Sequence, residues 1–218
     1  RELTADLDRI NRERKDIEAK MRDEAFAYVD AMDNTNLPDC VSLYHEGWHQ
    51  GVVGLIASRV RERCDRPVIA FARENDAMLK GSARSVPGVH IRDLLEAVDT
   101  SEPGLIERFG GHAMAAGLSL AEKNFPRFKS LATKKLRQMY PDADFSGAIT
   151  TDGDLPTTAM NLQFARTLRE AGPWGAGFPE PVFTGDFQVE AQRTVGENHL
   201  KLRVRPSSGG GVIDAIAF

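Results

Sequence analysis

The sequence predicts an α/β layer domain preceded by one long helix and followed by a partial all-β barrel. Three observations carry this reading. Residues 1–32 lack Gly and Pro and repeat apolar side chains on a heptad frame. Residues 39–140 alternate β-rich runs with amphipathic ones, and residues after 181 fall into alternating runs split by turn residues.

Taken in order, Leu3, Leu7, Ile10, Ile17, Met21, Tyr28 and Met32 share the heptad frame, interrupted by Arg14 and Glu24. Dense charge elsewhere on the run makes residues 1–38 a long amphipathic helix, ended by Asn34, Asn36 and Pro38. Between 39 and 140, a strand at Val41–His45 leads through a Gly-flanked turn into a helix from about Val52 to Arg63. Pro67–Ala72 reads as a buried strand from its β-branched content, and the polar turn Arg73–Ala77 makes it a hairpin with the segment ending at Gly81–Ser85. A short helix follows at Ile91–Val98, then a helical Glu102–Phe109 stopped by a Gly pair, a strand of small residues at Ala113–Leu120, and an amphipathic helix at Phe125–Tyr140. Residues 141–181 form a helical connector: Phe145–Thr151 is extended, Thr158–Ala171 helical, and Gly172–Pro181 stiffened by Gly and Pro. In 182–218, Val182–Ala191, His199–Val204 and Val212–Phe218 read as antiparallel strands with Ser207–Gly211 as a hairpin tip. The uncapped start at Arg1 and the lack of a closing strand after Phe218 predict a piece of a longer chain.

Composition narrows the class. At 41% hydrophobic and 28% charged residues, the chain reads as soluble globular protein. No apolar stretch approaches the roughly 18 residues of a membrane span, and the N-terminus has no signal core. Cys40 and Cys64 are too few and too unpatterned for a disulfide framework or zinc ribbon, and suit small buried side chains in a reducing cytoplasm. The net charge of −4 argues against coating nucleic acid by bulk electrostatics. Only residues 39–140 hold more basic than acidic side chains, so an anionic ligand would be met there by local groups.

Three motifs lie in that region. His45-Glu46-Gly47-Trp48-His49 fits H-E-x-x-H, the zinc-protease pattern, but Gly47 and Gly51 make a continuous helix improbable and no third ligand is evident. A strand-to-helix turn on a groove suits it better, and no metal site is expected. In Gly81-Ser82-Ala83-Arg84-Ser85, Ser82 and Arg84 share one side of an extended segment, where a hydroxyl and a guanidinium can converge on a phosphate, with Gly81 allowing close approach. In Gly110–Gly117 (GGHAMAAG), Gly110 and Gly111 allow the backbone to curl into an anion-friendly nest before His112. The small residues that follow, Gly117 among them, allow close strand packing. The glycine spacing is not that of a dinucleotide fold.

In order, HEGWHQGVVGLIASR (His45–Arg59), GSARS, GGHAMAAG and GPWGAGFPEPVF (Gly172–Phe183) resemble the C-terminal signatures of the RecJ exonucleases. The resemblance implies a connecting helix at 1–38, a DHHA1 domain at 39–140 and a truncated OB-fold at 182–218. It also implies 5′-to-3′ hydrolysis of single-stranded DNA in repair and recombination, with Mn2+ or Mg2+ in the complete enzyme. Carried onto this chain, Ser82 and Arg84 match positions that hold the terminal phosphate. Gly110, Gly111 and His112 match a loop against the substrate, and His45, Trp48 and His49 the rim of the same cleft. In the barrel, Phe183, Phe187, Lys201, Arg203 and Arg205 are candidates for a single-strand surface. The family's metal centre uses a DHH triplet and carboxylate clusters that do not occur here, so no catalytic residue is expected in these 218 residues. Two alternatives share parts of the pattern: a DHHA1 phosphodiesterase of short oligonucleotides or cyclic dinucleotides, and a non-catalytic DHHA1 nucleic-acid-binding appendage.

Overall fold

The computed structural model describes residues 2–32, 37–175, 177–196 and 199–218. The chain divides into two compact units, 1–147 and 148–218.

The first unit is built on a five-stranded mixed sheet. Its strands are β1 (Val41–Tyr44), β2 (Val68–Arg73), β3 (Met78–Arg84), β4 (Arg108–Gly111) and β5 (Ala115–Ala121), in the order β1-β2-β3-β5-β4. Only β1 and β2 run parallel, because the helix α2 (Val53–Cys64) supplies the crossover that a parallel pair requires. The remaining neighbours are antiparallel: short turns join β2 to β3 and β4 to β5, whereas α3 and β4 intervene between β3 and β5.

Alternation along the strands sorts side chains onto two faces. Ile69, Phe71, Leu79, Ala83, Ala116, Leu118 and Leu120 face one core together with α3 (Ile91–Ser101) and α4 (Phe125–Met139). Those helices supply Leu94, Leu95 and Val98, and Phe128, Leu131 and Leu136, at helical spacing. Val41, Leu43, Val68, Ala70 and Ala72 face the other core, covered by α2 and the end of α1 (Glu2–Asp30). This second cover reaches β1, β2 and part of β3, so no helix among the described residues covers the outer face of β5 and β4, where Ser119 is nonetheless buried.

The long helix forms, but its heptad frame is not the buried stripe. Leu7, Ile10, Ile17 and Tyr28 are exposed, whereas Met21, Ala25 and Val29, spaced by four, are buried. Only the C-terminal part of α1 meets a partner within the first unit, and a straight helix against one partner buries i, i+4, i+8 positions. The side chain of Leu3 and the helix-ending Asn34 and Asn36 lie outside the described residues. Glu102–Phe109 is not a helix. Gly104 turns the chain at φ 85°, Leu105 and Ile106 drop into the core, and Arg108–Phe109 open strand β4.

Both cysteines are free. Burial pushes the Cys40 thiol up to about 12, which makes it an inert packing group. Across the ends of β1 and β2, the Tyr44 hydroxyl donates to Glu122 at 2.8 Å and Arg73 reaches the same carboxylate at 3.0 Å. Those two contacts hold the Glu122 carboxyl below its usual range.

The second unit carries α5 (Leu162–Ala171) and a three-stranded antiparallel sheet, β6 (Phe187–Val195), β7 (His199–Pro206) and β8 (Ile213–Ala217). A bulge between Val189 and Ala191 bends β6. Among the described residues the sheet does not close into a barrel. The expected Thr158–Ala171 helix is shorter, because Asn161 caps it by accepting from the Phe164 amide at 2.9 Å. No helix among the described residues is long and apolar enough to cross a membrane.

Candidate functional site

Strand β3 builds the site by its pleat. Leu79, Gly81 and Ala83 are buried toward α3 and α4, which leaves Lys80, Ser82 and Arg84 on the opposite face. Gly81 serves the core and not a ligand. A Cβ there would lie 2.5 Å from a Phe71 ring carbon and 2.7 Å from a Leu118 methyl.

Ser82 and Arg84 meet, as their spacing predicts. Arg84 donates from Nη1 to the Ser82 hydroxyl at 3.0 Å and to the Ala83 carbonyl at 2.9 Å. Its Nε donates to the Ser58 hydroxyl at 3.2 Å, and that hydroxyl donates in turn to the Gly54 carbonyl at 3.1 Å. Nη2 has no hydrogen-bond acceptor among the described residues, so two of the five guanidinium N–H groups are available to a ligand. A half-buried arginine held by neutral oxygens and paired with no described carboxylate is preset for an anion.

Gly54 and Ser58 belong to this site, although sequence reasoning passed over both. They lie one turn apart on α2, on the face that packs over β3. A Cβ at residue 54 would sit 3.0 Å from Arg84 Nη2 and 3.2 Å from the Ser82 hydroxyl, so glycine is what lets the helix approach without displacing the guanidinium. Helical spacing signals that 54 and 58 share a face. It cannot say which strand that face meets.

The glycine motif adopts a different shape from the expected nest. Gly110 and Gly111 are strand residues of β4, paired with Gly117 and Ala116. The His112 amide donates to the Ala115 carbonyl at 2.8 Å and closes a tight hairpin. Gly111 is the sterically required glycine: φ is 149°, and a Cβ would lie 2.4 Å from the Ala115 carbonyl oxygen. The hairpin tip is anchored by the Ser85 and Ile91 amides, which donate to the Met114 and Ala113 carbonyls. His112 is exposed beside the end of β3, where Arg84 pairs with Ala115.

Residues 45–49 form a bent turn after β1. The His45 and His49 Nδ1 atoms each accept from a backbone amide two residues on, Gly47 and Gly51, at 3.1 Å. Both imidazoles are exposed. Trp48 instead is buried, and its indole N–H donates to Glu24 of α1 at 3.0 Å.

Residues 36–138 match the DHHA1 domain and residues 151–218 the RecJ OB domain. The chain is 48% identical over its full length to the single-stranded-DNA-specific exonuclease RecJ of Dickeya dadantii, and 47% identical to that of Escherichia coli. This is a RecJ-family chain. It spans 38% of the length of each of those relatives, in their C-terminal part. The crystal structure of RecJ in complex with Mg2+ from Thermus thermophilus matches with a TM-score of 0.70 at 29% identity, covering 93% of this chain and 30% of that one. A second solved structure, exonuclease RecJ bound to manganese, matches 66% of this chain with a TM-score of 0.52.

The RecJ relatives with solved structures thus hold Mg2+ or Mn2+. Among the described residues of this chain, no three His, Cys, Asp or Glu side chains group as ligands, so the residues present do not fit such a metal. The RecJ OB region is a weak anion surface, as its acidic balance suggests. Lys201 faces Asp214 at 3.6 Å, Arg205 faces Glu190 at 2.6 Å, and Phe183 packs on Phe164 with ring centroids 6.0 Å apart. Arg203 and Phe187 stay exposed.

Proposed function

We propose that this chain is the substrate-positioning part of a cytoplasmic 5′-to-3′ single-stranded DNA exonuclease of repair and recombination. The two-metal centre would lie in a DHH half outside these residues. The observation that carries the reading is the Arg84 guanidinium, fixed by Ser82 and Ser58 with Nη2 left for an anion. In this role Ser82 and Arg84 hold the 5′-terminal phosphate. Gly110, Gly111 and His112 line the strand's path, and His45 and His49 stand near the rim.

A terminal phosphate carries more charge than an internal diester, so a guanidinium at the strand's end reads which end it holds. In the complete enzyme, Arg84→Ala is expected to lower the 5′-phosphate to 5′-hydroxyl rate ratio by roughly tenfold or more, the worth of a charge-assisted contact of about 1.5–3 kcal/mol. Ser82→Ala should act in the same direction by less. Kinetics on matched oligonucleotides decide this, and equal losses on both substrates would remove Arg84 from end recognition.

The chain alone is expected to hydrolyse no DNA with Mn2+ or Mg2+, because in two-metal hydrolysis the ions activate the water and stabilise the leaving oxygen. Metal-dependent cleavage that copurifies with the chain through several columns would contradict this assignment.

A further inference from the structure

Beside Arg84, the open half of the sheet carries a second basic pair. The register aligns Lys80 on β3 with Ser119 on β5 and Arg108 on β4. The next row on the same face is Ser82, Gly117 and Gly110. A cavity of about 380 Å³ lies over these rows, with Lys80, Arg108, Gly110, Gly117 and Ser119 in its walls. Lys80 is exposed and forms no ion pair among the described residues. Arg108 is tethered by Glu74 at 3.2 Å and by the Ser119 hydroxyl at 3.3 Å, yet its side chain keeps 69% of its exposure.

The row beside the two basic groups is bare on β5 and β4, and packing within the described residues does not require it. A Cβ at Gly110 would meet nothing within 4 Å, and one at Gly117 only the Gly81 carbonyl oxygen at 3.8 Å. Neither glycine has a positive φ. Glycine inside a strand weakens it, and where packing does not demand it a recurrent use is close approach of a ligand or another backbone. Close packing of β5, expected for Gly117, is not what this residue provides.

We infer that Lys80 and Arg108 form a second phosphate site, which takes the internal phosphodiester next to the terminal phosphate while the strand lies over Gly110 and Gly117. The inference rests on the reading of Arg84 as the terminal-phosphate contact. Lys80 and Ser82 stand two residues apart on one strand face, about 7 Å, a step that suits successive phosphates of an extended single strand. Lys80 acts as a point charge, and Arg108 exchanges Glu74 for the phosphate.

Binding of 5′-phosphorylated and 5′-hydroxyl oligothymidylates to the chain, measured by anisotropy across a salt series, tests this. Lys80→Gln is expected to weaken both ligands several-fold, to lower the slope of log affinity against log salt by about 0.7, and to leave the 5′-phosphate to 5′-hydroxyl affinity ratio unchanged. Arg84→Ala should collapse that ratio. An unchanged slope and affinity in Lys80→Gln would overturn the second site, and so would a fall in the ratio, which would place Lys80 in the terminal pocket. An unaltered chain without preference for 5′-phosphate would overturn the reading of Arg84 instead, while a Lys80 effect on slope would still support the internal site.

Discussion

Alanine at Gly111 is expected to destabilise the first unit by roughly 2–4 kcal/mol, whereas alanine at the neighbouring Gly110 changes stability by about 0.5 kcal/mol or less. At residue 111 a Cβ would overlap the Ala115 carbonyl oxygen at 2.4 Å and the Ala116 Cα at 2.5 Å, and φ 149° is strained for any L side chain. Neither atom is the end of a flexible side chain, so the hairpin must open to make room. At residue 110 the space is empty. Urea unfolding followed by Trp48 fluorescence in a Trp174→Phe background isolates the first unit. Equal effects at the two glycines would refute the hairpin geometry that places His112.

Phe71→Ala is expected to cost about 3–5 kcal/mol, the range for a buried phenyl ring removed from a core that cannot collapse. Phe71 is fully buried and meets Phe125 and Phe128 edge-on, with centroids 5.4 and 5.5 Å away. It also stands opposite Gly81, whose missing side chain makes room for the ring. The two positions should therefore couple. Gly81→Ala is expected to cost about 1–3 kcal/mol in the unaltered chain and clearly less beside Phe71→Leu, because the shorter side chain relieves the overlap. Strict additivity in that double-mutant cycle would mean that the ring does not rest on residue 81.

Much of this arrangement was legible in the residues. Alternation alone placed Ser82 and Arg84 together, and Gly47 and Gly51 argued against a continuous helix under the two histidines of H-E-x-x-H. Local signals misled where they imitated another period. Leu105, Ile106 and Phe109 are spaced like one face of a helix, but Pro103 and Gly104 turn the chain, and Leu105 and Ile106 are buried from a bend while Phe109 packs half-buried from a strand. The heptad frame of α1 failed over most of its length because burial follows the partner that is present: Met21, Ala25 and Val29 are buried, with Phe26 and Met32 packed beside them. Gly54, Ser58, Lys80 and Arg108 escaped notice for another reason. Each is unremarked in its own segment, and their meeting depends on strand register and on which helix covers which strand, information held at long range.

The pleat of β3 also ties binding to folding through parity. A slip of one residue against β2 and β5 would turn Lys80, Ser82 and Arg84 inward and present Leu79, Gly81 and Ala83 to water. In one direction Ser82 would take the place of Gly81 between Phe71 and Leu118, and the Arg84 guanidinium would take the place of Ala83 between Ile69 and Ala116, with no partner there to offset its desolvation. A slip of two would keep the faces but move every cross-strand partner, breaking the fit of Phe71 over Gly81. The apolar side of the sheet thus checks the alignment of the anion-binding side while the chain folds, and a misaligned copy is removed as an unstable protein before it can act as a poor binder.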